Sequence, residues 1–151
     1  MSVARTGSQA NQGRPLVVID IRERMPYSFP STVTRTLPTG DYSIYGLEDR
    51  IAIERKTKAD AYKSLGYERA RFQREMERLA WFDYAAVVIE ASLTDFLVAP
   101  PYCRLNPKSA ICSLLAWSVR YGVHVYFAGN RGWGNFVTET LLKRFWLEYG
   151  G

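Results

Sequence analysis

The stretch Ile51-Ala52-Ile53-Glu54-Arg55-Lys56-Thr57-Lys58-Ala59-Asp60 begins apolar and ends in charge. An apolar opening of this kind is buried, so the charges at its far end are costly unless they serve a purpose. The spacing predicts a strand over 51–56. Its period of two puts Glu54 and Lys56 on one face, roughly 6–7 Å apart along the strand. Arg55 then points the other way, onto the face of Ile51 and Ile53, and needs a carboxylate there. Glu23, Asp20 and Asp60 are the candidates. Two further charged sets stand at apolar boundaries upstream: Asp20-Ile21-Arg22-Glu23 after Leu16-Val17-Val18-Ile19, and Gly40-Asp41-Tyr42. Asp41 and Glu54, from neighbouring strands, can share a hard cation such as Mg²⁺, which takes oxygen ligands and keeps several waters. A lysine beside a metal-bound water can orient it or help remove its proton.

Outward from this stretch, residues 1–14 are polar and aperiodic and read as a disordered leader; 15–151 read as one domain. Strands are predicted over 16–20, 32–37, 42–45, 51–56, 84–90 and 123–128. Helices are predicted over 60–65, 68–82, 107–121 and 132–148. In the second helix Phe72, Met76, Leu79 and Ala80 form the inward stripe; in the last, Trp133, Phe136, Val137, Leu141 and Phe145 do so. Asn106-Pro107 reads as an N-cap followed by proline at the first helical position, and Gly122 as the stop. Strands first and strand–helix alternation later give an α/β chain: a central mixed β-sheet flanked by helices.

The chain has 151 residues, enough for one sizeable core. Its longest uninterrupted apolar run, 85–89, is far below a membrane span. Cys103 and Cys112 form no CxxC and read as inert, and His124, the single histidine, reads as a hydrogen-bonded structural residue. A disulfide scaffold and any mechanism needing two histidines are excluded. Twenty basic residues face 15 acidic ones, a net charge of +5, and 15 of the 20 are arginine. Arginine's planar fork suits phosphate. Charge alone leaves open both a polyanionic partner and ordinary solubility.

Val18 to Glu23, Gly40-Asp41-Tyr42 and Glu54 to Asp60 together resemble the XPF-type nuclease domain, named for the xeroderma pigmentosum group F endonuclease and including the archaeal Hef nuclease. This family lies within the PD-(D/E)XK superfamily, whose pattern is an aspartate followed by Glu-x-Lys on the next strand. The family's Glu-Arg-Lys, three residues and Asp is present as Glu54 to Asp60. Arg71-Phe72-Gln73 and Val87-Val88-Ile89-Glu90 continue the similarity.

The resemblance implies a restriction-endonuclease-like fold and metal-dependent hydrolysis of DNA phosphodiesters, on branched or flapped DNA in repair or recombination. It implies Asp41 and Glu54 as metal ligands, the Arg55 backbone carbonyl as a third, Asp20 as a further acid near the metal, and Lys56 as the catalytic lysine. Arg22, Glu23, Arg55, Asp60 and Arg71 fall on supporting positions. Mg²⁺ is the expected cofactor, with Mn²⁺ able to substitute. DNA is the expected partner, with a homodimer or partner protein supplying structure specificity. The helix-hairpin-helix domain found in many members is not expected in 15–151. The expected location is the cytoplasm and nucleoid, or the nucleus in a eukaryote.

Arg71 and Arg131 are candidate DNA contacts. Arg74 and Arg78 read as a solvated face neutralised by Glu75 and Glu77. Trp133 reads as core rather than a base-stacking residue, and Glu90 as a salt bridge at the core edge. The alternative reading is a non-catalytic DNA-binding or scaffold subunit on the same fold. The intact Asp41, Glu54, Lys56 set speaks against it.

Overall fold

The computed structural model describes residues 14–150. The expected leader therefore lies outside the described residues, apart from Arg14. Six strands make one mixed sheet: β1 (Val17–Asp20), β2 (Thr32–Arg35), β3 (Tyr42–Ile44), β4 (Ile51–Thr57), β5 (Tyr84–Glu90) and β6 (His124–Phe127). Their order across the sheet is β2-β1-β3-β4-β5-β6. β1 is parallel to β2 and antiparallel to β3, β3 is antiparallel to β4, and β4, β5 and β6 run parallel. The helices are α1 (Lys58–Leu65), α2 (Arg69–Leu79), α3 (Leu93–Phe96), α4 (Pro107–Tyr121) and α5 (Arg131–Tyr149). Among the described residues no helix is long and apolar enough to cross a membrane.

The alternation of β4 divides the core. Ala52 packs with Val87, Ile89, Phe72, Met76, Leu114 and Trp117 under α1, α2 and α4. Ile51 and Ile53 pack with Val17, Tyr42, Val88, Leu142 and Phe145 under α5. Each sheet face is thus covered by helix, as a chain with near-continuous apolar strands requires.

Several element boundaries and phases differ from the expectation. The first helix starts two residues early, at Lys58, because the Thr57 hydroxyl caps it by accepting the Asp60 amide at 3.1 Å. α2 ends at Leu79, so Ala80 is a cap residue and exposed, while Phe72, Met76 and Leu79 are buried as expected. In α5 Phe145 is buried as expected and Val137 and Leu141 are partly buried against the same core, while the other fully buried positions are Gly134, Thr138 and Leu142. Trp133 and Phe136 are each 58% exposed and pack edge-to-face on each other. At Gly134 the helix passes so close to Tyr27 and Glu90 that a Cβ would overlap the Tyr27 hydroxyl. His124, expected to be a hydrogen-bonded structural residue, is exposed on β6 and stacks on Tyr84.

Candidate active site

β3 and β4 are paired at Tyr42↔Ile53. Gly40 makes the approach possible, since its φ is +83° and a Cβ there would sit 3.2 Å from the Ala52 Cβ. The Asp41 amide donates to the Ile53 carbonyl at 2.8 Å, and the Asp41 carboxylate accepts the Arg55 amide at 2.8 Å. The Asp20 amide donates to the Asp41 carbonyl at 2.9 Å, tying in the end of β1. Around these strand ends opens a cleft of about 660 Å³. Its lining includes Asp20, Arg22, Glu23, Asp41, Glu54, Arg55, Lys56, Asp60 and Arg71. Nine of the ten residues singled out in the sequence therefore meet at one place.

Glu54 and Lys56 share a face as the period of two requires, with Lys56 Nζ 3.3 Å from Glu54 Oε2. Nζ is also 3.9 Å from Glu75 Oε1 and 4.7 Å from the centroid of the Phe72 ring. Burial, then the charges of Asp41 and Glu75, push the Glu54 carboxyl well above the usual carboxylate range. Burial also raises Asp41, to about 6, with Glu23 and Glu75 adding to the shift against the Arg55 amide. Burial disfavours the Lys56 ammonium, but Glu54 and Glu75 outweigh it and hold the lysine above its ordinary value. The arrangement is a crowded set of acids with one cation among them.

On the opposite face of β4, Arg55 Nε is 2.7 Å from Glu90 Oε2, and its Nη1 is 3.4 Å from Glu23 and 2.7 Å from the Met25 carbonyl. Its carboxylates are thus Glu23, one of the three candidates, and Glu90, which was not among them. Tyr27 donates its hydroxyl to Glu90, lies under the Arg55 guanidinium and stacks on Tyr42. Tyr42 in turn donates to Glu23 and accepts the Tyr27 amide. This network fixes the loop after β1 against β4.

A family model, the ERCC4 domain, matches residues 19–132. The chain belongs to the ERCC4 domain family. It is also similar to the solved structure of XPF from Aeropyrum pernix, with 26% identity and a TM-score of 0.70 over 87% of this chain. The match to the same protein in a complex with DNA has 26% identity and a TM-score of 0.69 over 89% of this chain. This chain spans 65% and 66% of the length of those two chains. No curated protein matches it. The XPF-type nuclease domain and its restriction-endonuclease-like α/β fold are thus the ones expected from Glu54 to Asp60 and its companions.

Within the ERCC4 domain each remaining motif residue has a visible task. Asp20, 3% exposed, takes the Arg22 guanidinium on both oxygens, at 2.8 and 3.2 Å, and accepts the Leu37 and Arg22 amides. Burial opposes its ionisation, yet these donors hold its carboxyl below the usual range. Asp60 stands in the first turn of α1, and its amide is the donor to the Thr57 cap. Arg71 is 78% exposed and 3.9 Å from Glu68. Arg131, the tenth residue, lies beside the loop after β1, where it donates to the Met25 and Pro26 carbonyls, each at 3.0 Å.

Glu75 is the main residue that sequence reasoning misplaced. It turns to Lys56 instead of neutralising Arg71 or Arg78, and Arg78 itself lines the cleft. The available signal was its position beside Phe72 and Met76, on the border of the buried stripe.

Among the described residues no three His, Cys, Asp or Glu side chains form a ready metal cage. The donor set nevertheless fits Mg²⁺, which is commonly held by one or two carboxylates with waters completing the shell. Asp41 and Glu54 supply the carboxylates. The Arg55 carbonyl shares the strand edge of its own amide, the edge facing Asp41. The mutual repulsion of the acids is what a divalent cation would relieve.

Proposed function

We propose that this ERCC4 domain is a divalent-metal-dependent endonuclease that hydrolyses DNA phosphodiester bonds, acting on branched or flapped DNA in repair or recombination. The reading is carried by the convergence of Asp41, Glu54 and Lys56 on one cleft, a set a scaffold has no need to keep. Its similarity to an XPF solved in a complex with DNA supports DNA as the substrate.

Asp41, Glu54 and the Arg55 carbonyl would hold Mg²⁺, with Mn²⁺ able to substitute and Asp20 the acid next to them. Bound there, the metal supplies a Lewis acid for the phosphoryl oxygens and a more acidic water. Lys56 orients the attacking water in line with the leaving oxygen, or stabilises charge developing on phosphorus. Arg55, held by Glu23 and Glu90, keeps β4 and the β1 loop in register around the acids. Arg71 and Arg131 contact DNA phosphates. A second copy or a partner protein supplies the preference for branched structure. The place of action is the cytoplasm and nucleoid, or the nucleus in a eukaryote.

The test is cleavage of linear, flap, fork and four-way-junction DNA with Mg²⁺, Mn²⁺ or chelator. Cuts that need the metal and favour a branched substrate are expected. Binding without cleavage of any substrate, with either metal, would replace the reading with a non-catalytic DNA-binding subunit.

A further inference from the structure

Lys56 is 8% exposed, and a buried ammonium must be compensated by its surroundings. Three groups do this: Glu54 at 3.3 Å, Glu75 at 3.9 Å and the Phe72 ring at 4.7 Å. The last two are three residues apart on α2 and present one side of that helix to the lysine. Glu54 carries a conflict that Glu75 does not. In the nuclease reading Glu54 is a metal ligand, and a carboxylate whose lone pairs turn to a divalent cation is a poorer partner for a lysine. The cation also repels the ammonium beside it. With Glu54 so engaged, the nearest remaining anion for Lys56 is Glu75.

We propose that Glu75 holds the Lys56 ammonium at the cleft when Glu54 turns to a divalent cation, so that Glu75 is a positioning residue acting through the lysine. The inference rests on the metal-dependent reading of the site. It gives a reason for an acid from a separate element to lie against the Glu54–Lys56 pair. It also gives α2 a task in the chemistry, since its packing through Phe72 and Met76 decides where the lysine points.

The competing role is that Glu75 acts on the cation directly, as a ligand or through its field. A double-mutant cycle with Lys56 separates the two, read as Mn²⁺ affinity by titration calorimetry on DNA-free protein. With Lys56 present, Glu75→Gln leaves the lysine dependent on Glu54 alone, and Mn²⁺ binding weakens about fivefold. With Lys56→Met there is no ammonium to hold, and Glu75→Gln changes Mn²⁺ affinity by less than about twofold. In cleavage the Glu75→Gln protein loses kcat while its DNA affinity is unchanged. An equal loss of Mn²⁺ affinity in both backgrounds, or no loss in either, overturns the proposal and leaves the nuclease reading standing. Failure of the unsubstituted protein to take up Mn²⁺ overturns that reading and the proposal together.

Discussion

Arg55 Nε and Glu90 Oε2 lie 2.7 Å apart, joining the middle of β4 to the last residue of β5 across 35 residues of sequence. Both side chains are nearly buried, at 11% and 8% exposure. Glu90 also accepts the Tyr27 hydroxyl, so its loss strands two groups at once. Breaking a buried pair from one side costs about 3–5 kcal/mol. Glu90→Ala should therefore lower stability by an amount in that range, with Glu23 retaining part of the compensation. The urea midpoint of the variant checks this, and a shift below about 0.5 kcal/mol would show the pair to be structurally idle.

Glu54→Gln keeps the shape of the side chain but removes its charge, and Lys56→Ala removes the cation. Either change should reduce metal-dependent cleavage by roughly 100-fold or more. DNA binding should survive in both, because the exposed arginines are untouched. Gel-shift and cleavage assays on one flap substrate separate the two properties. Cleavage at the unsubstituted rate by either variant would remove these residues from the chemistry.

The Asp41 carboxyl, raised to about 6 by burial and neighbouring acids, makes the native state bind a proton more tightly than the unfolded chain does. Between roughly pH 4 and pH 6 the native protein then holds more protons, so metal-free stability falls as pH rises through this window. Glu54 has the same sign. Asp20, lowered instead, loses its contribution only in more acidic solution. In chelator, Tm should decline from pH 4.5 to 6.5, and Asp41→Asn should flatten the decline. Mg²⁺ should raise Tm more at pH 7.5 than at pH 5.5, because it favours the ionised acids. An equal increment at both pH values would disconnect these carboxyls from the metal.

Arg71 and Arg78 stand two helical turns apart on α2, and both line the cleft. If each meets a phosphate, replacing either with alanine should weaken DNA binding and reduce the slope of log K against log salt by about 1. An unchanged slope would return Arg78 to an ordinary solvated arginine. Arg131→Ala gives a contrast, since that side chain already braces the Met25 and Pro26 carbonyls. It should loosen the β1 loop as well as any phosphate contact.

What the sequence made legible was the content of single strands and their succession along the chain. Period two carries over directly into space, so the shared face of Glu54 and Lys56 and the opposed Arg55 could be read from Ile51 to Lys56. The motif spacing brought Asp41 to the same cleft. Glu75 was not legible in its role, because its partner depends on how α2 is laid across the sheet. Glu90 was read as a salt-bridging residue, but its partner followed from the parallel register that ends at Thr57↔Glu90. Tyr27 sits in a proline-flanked loop with no period, yet it is almost fully buried. In α5, Phe145, Val137 and Leu141 face the core as read, but Trp133 and Phe136 were misplaced, because Gly134 and Thr138 take the inward positions in the first half of the helix.

Gly134 tests that last point. A Cβ at this position would overlap the Tyr27 hydroxyl and lie 3.4 Å from the Glu90 Cγ. Alanine favours helix over glycine by about 1 kcal/mol, so on an open helix face Gly134→Ala would stabilise. Here the added methyl must displace Tyr27 from Glu90. Overpacking costs about 1–3 kcal/mol, and the lost hydrogen bond to a charged group adds to it. The substitution should therefore destabilise by about 1–3 kcal/mol net. Tyr27→Phe removes the overlapping oxygen and leaves the nearest ring carbon at 3.2 Å, a contact that a small ring shift relieves. In that background Gly134→Ala should be neutral or stabilising. Urea midpoints of the four proteins measure the reversal, and the same destabilisation in both backgrounds would mean that the tyrosine hydroxyl does not set the closeness of α5 to the sheet.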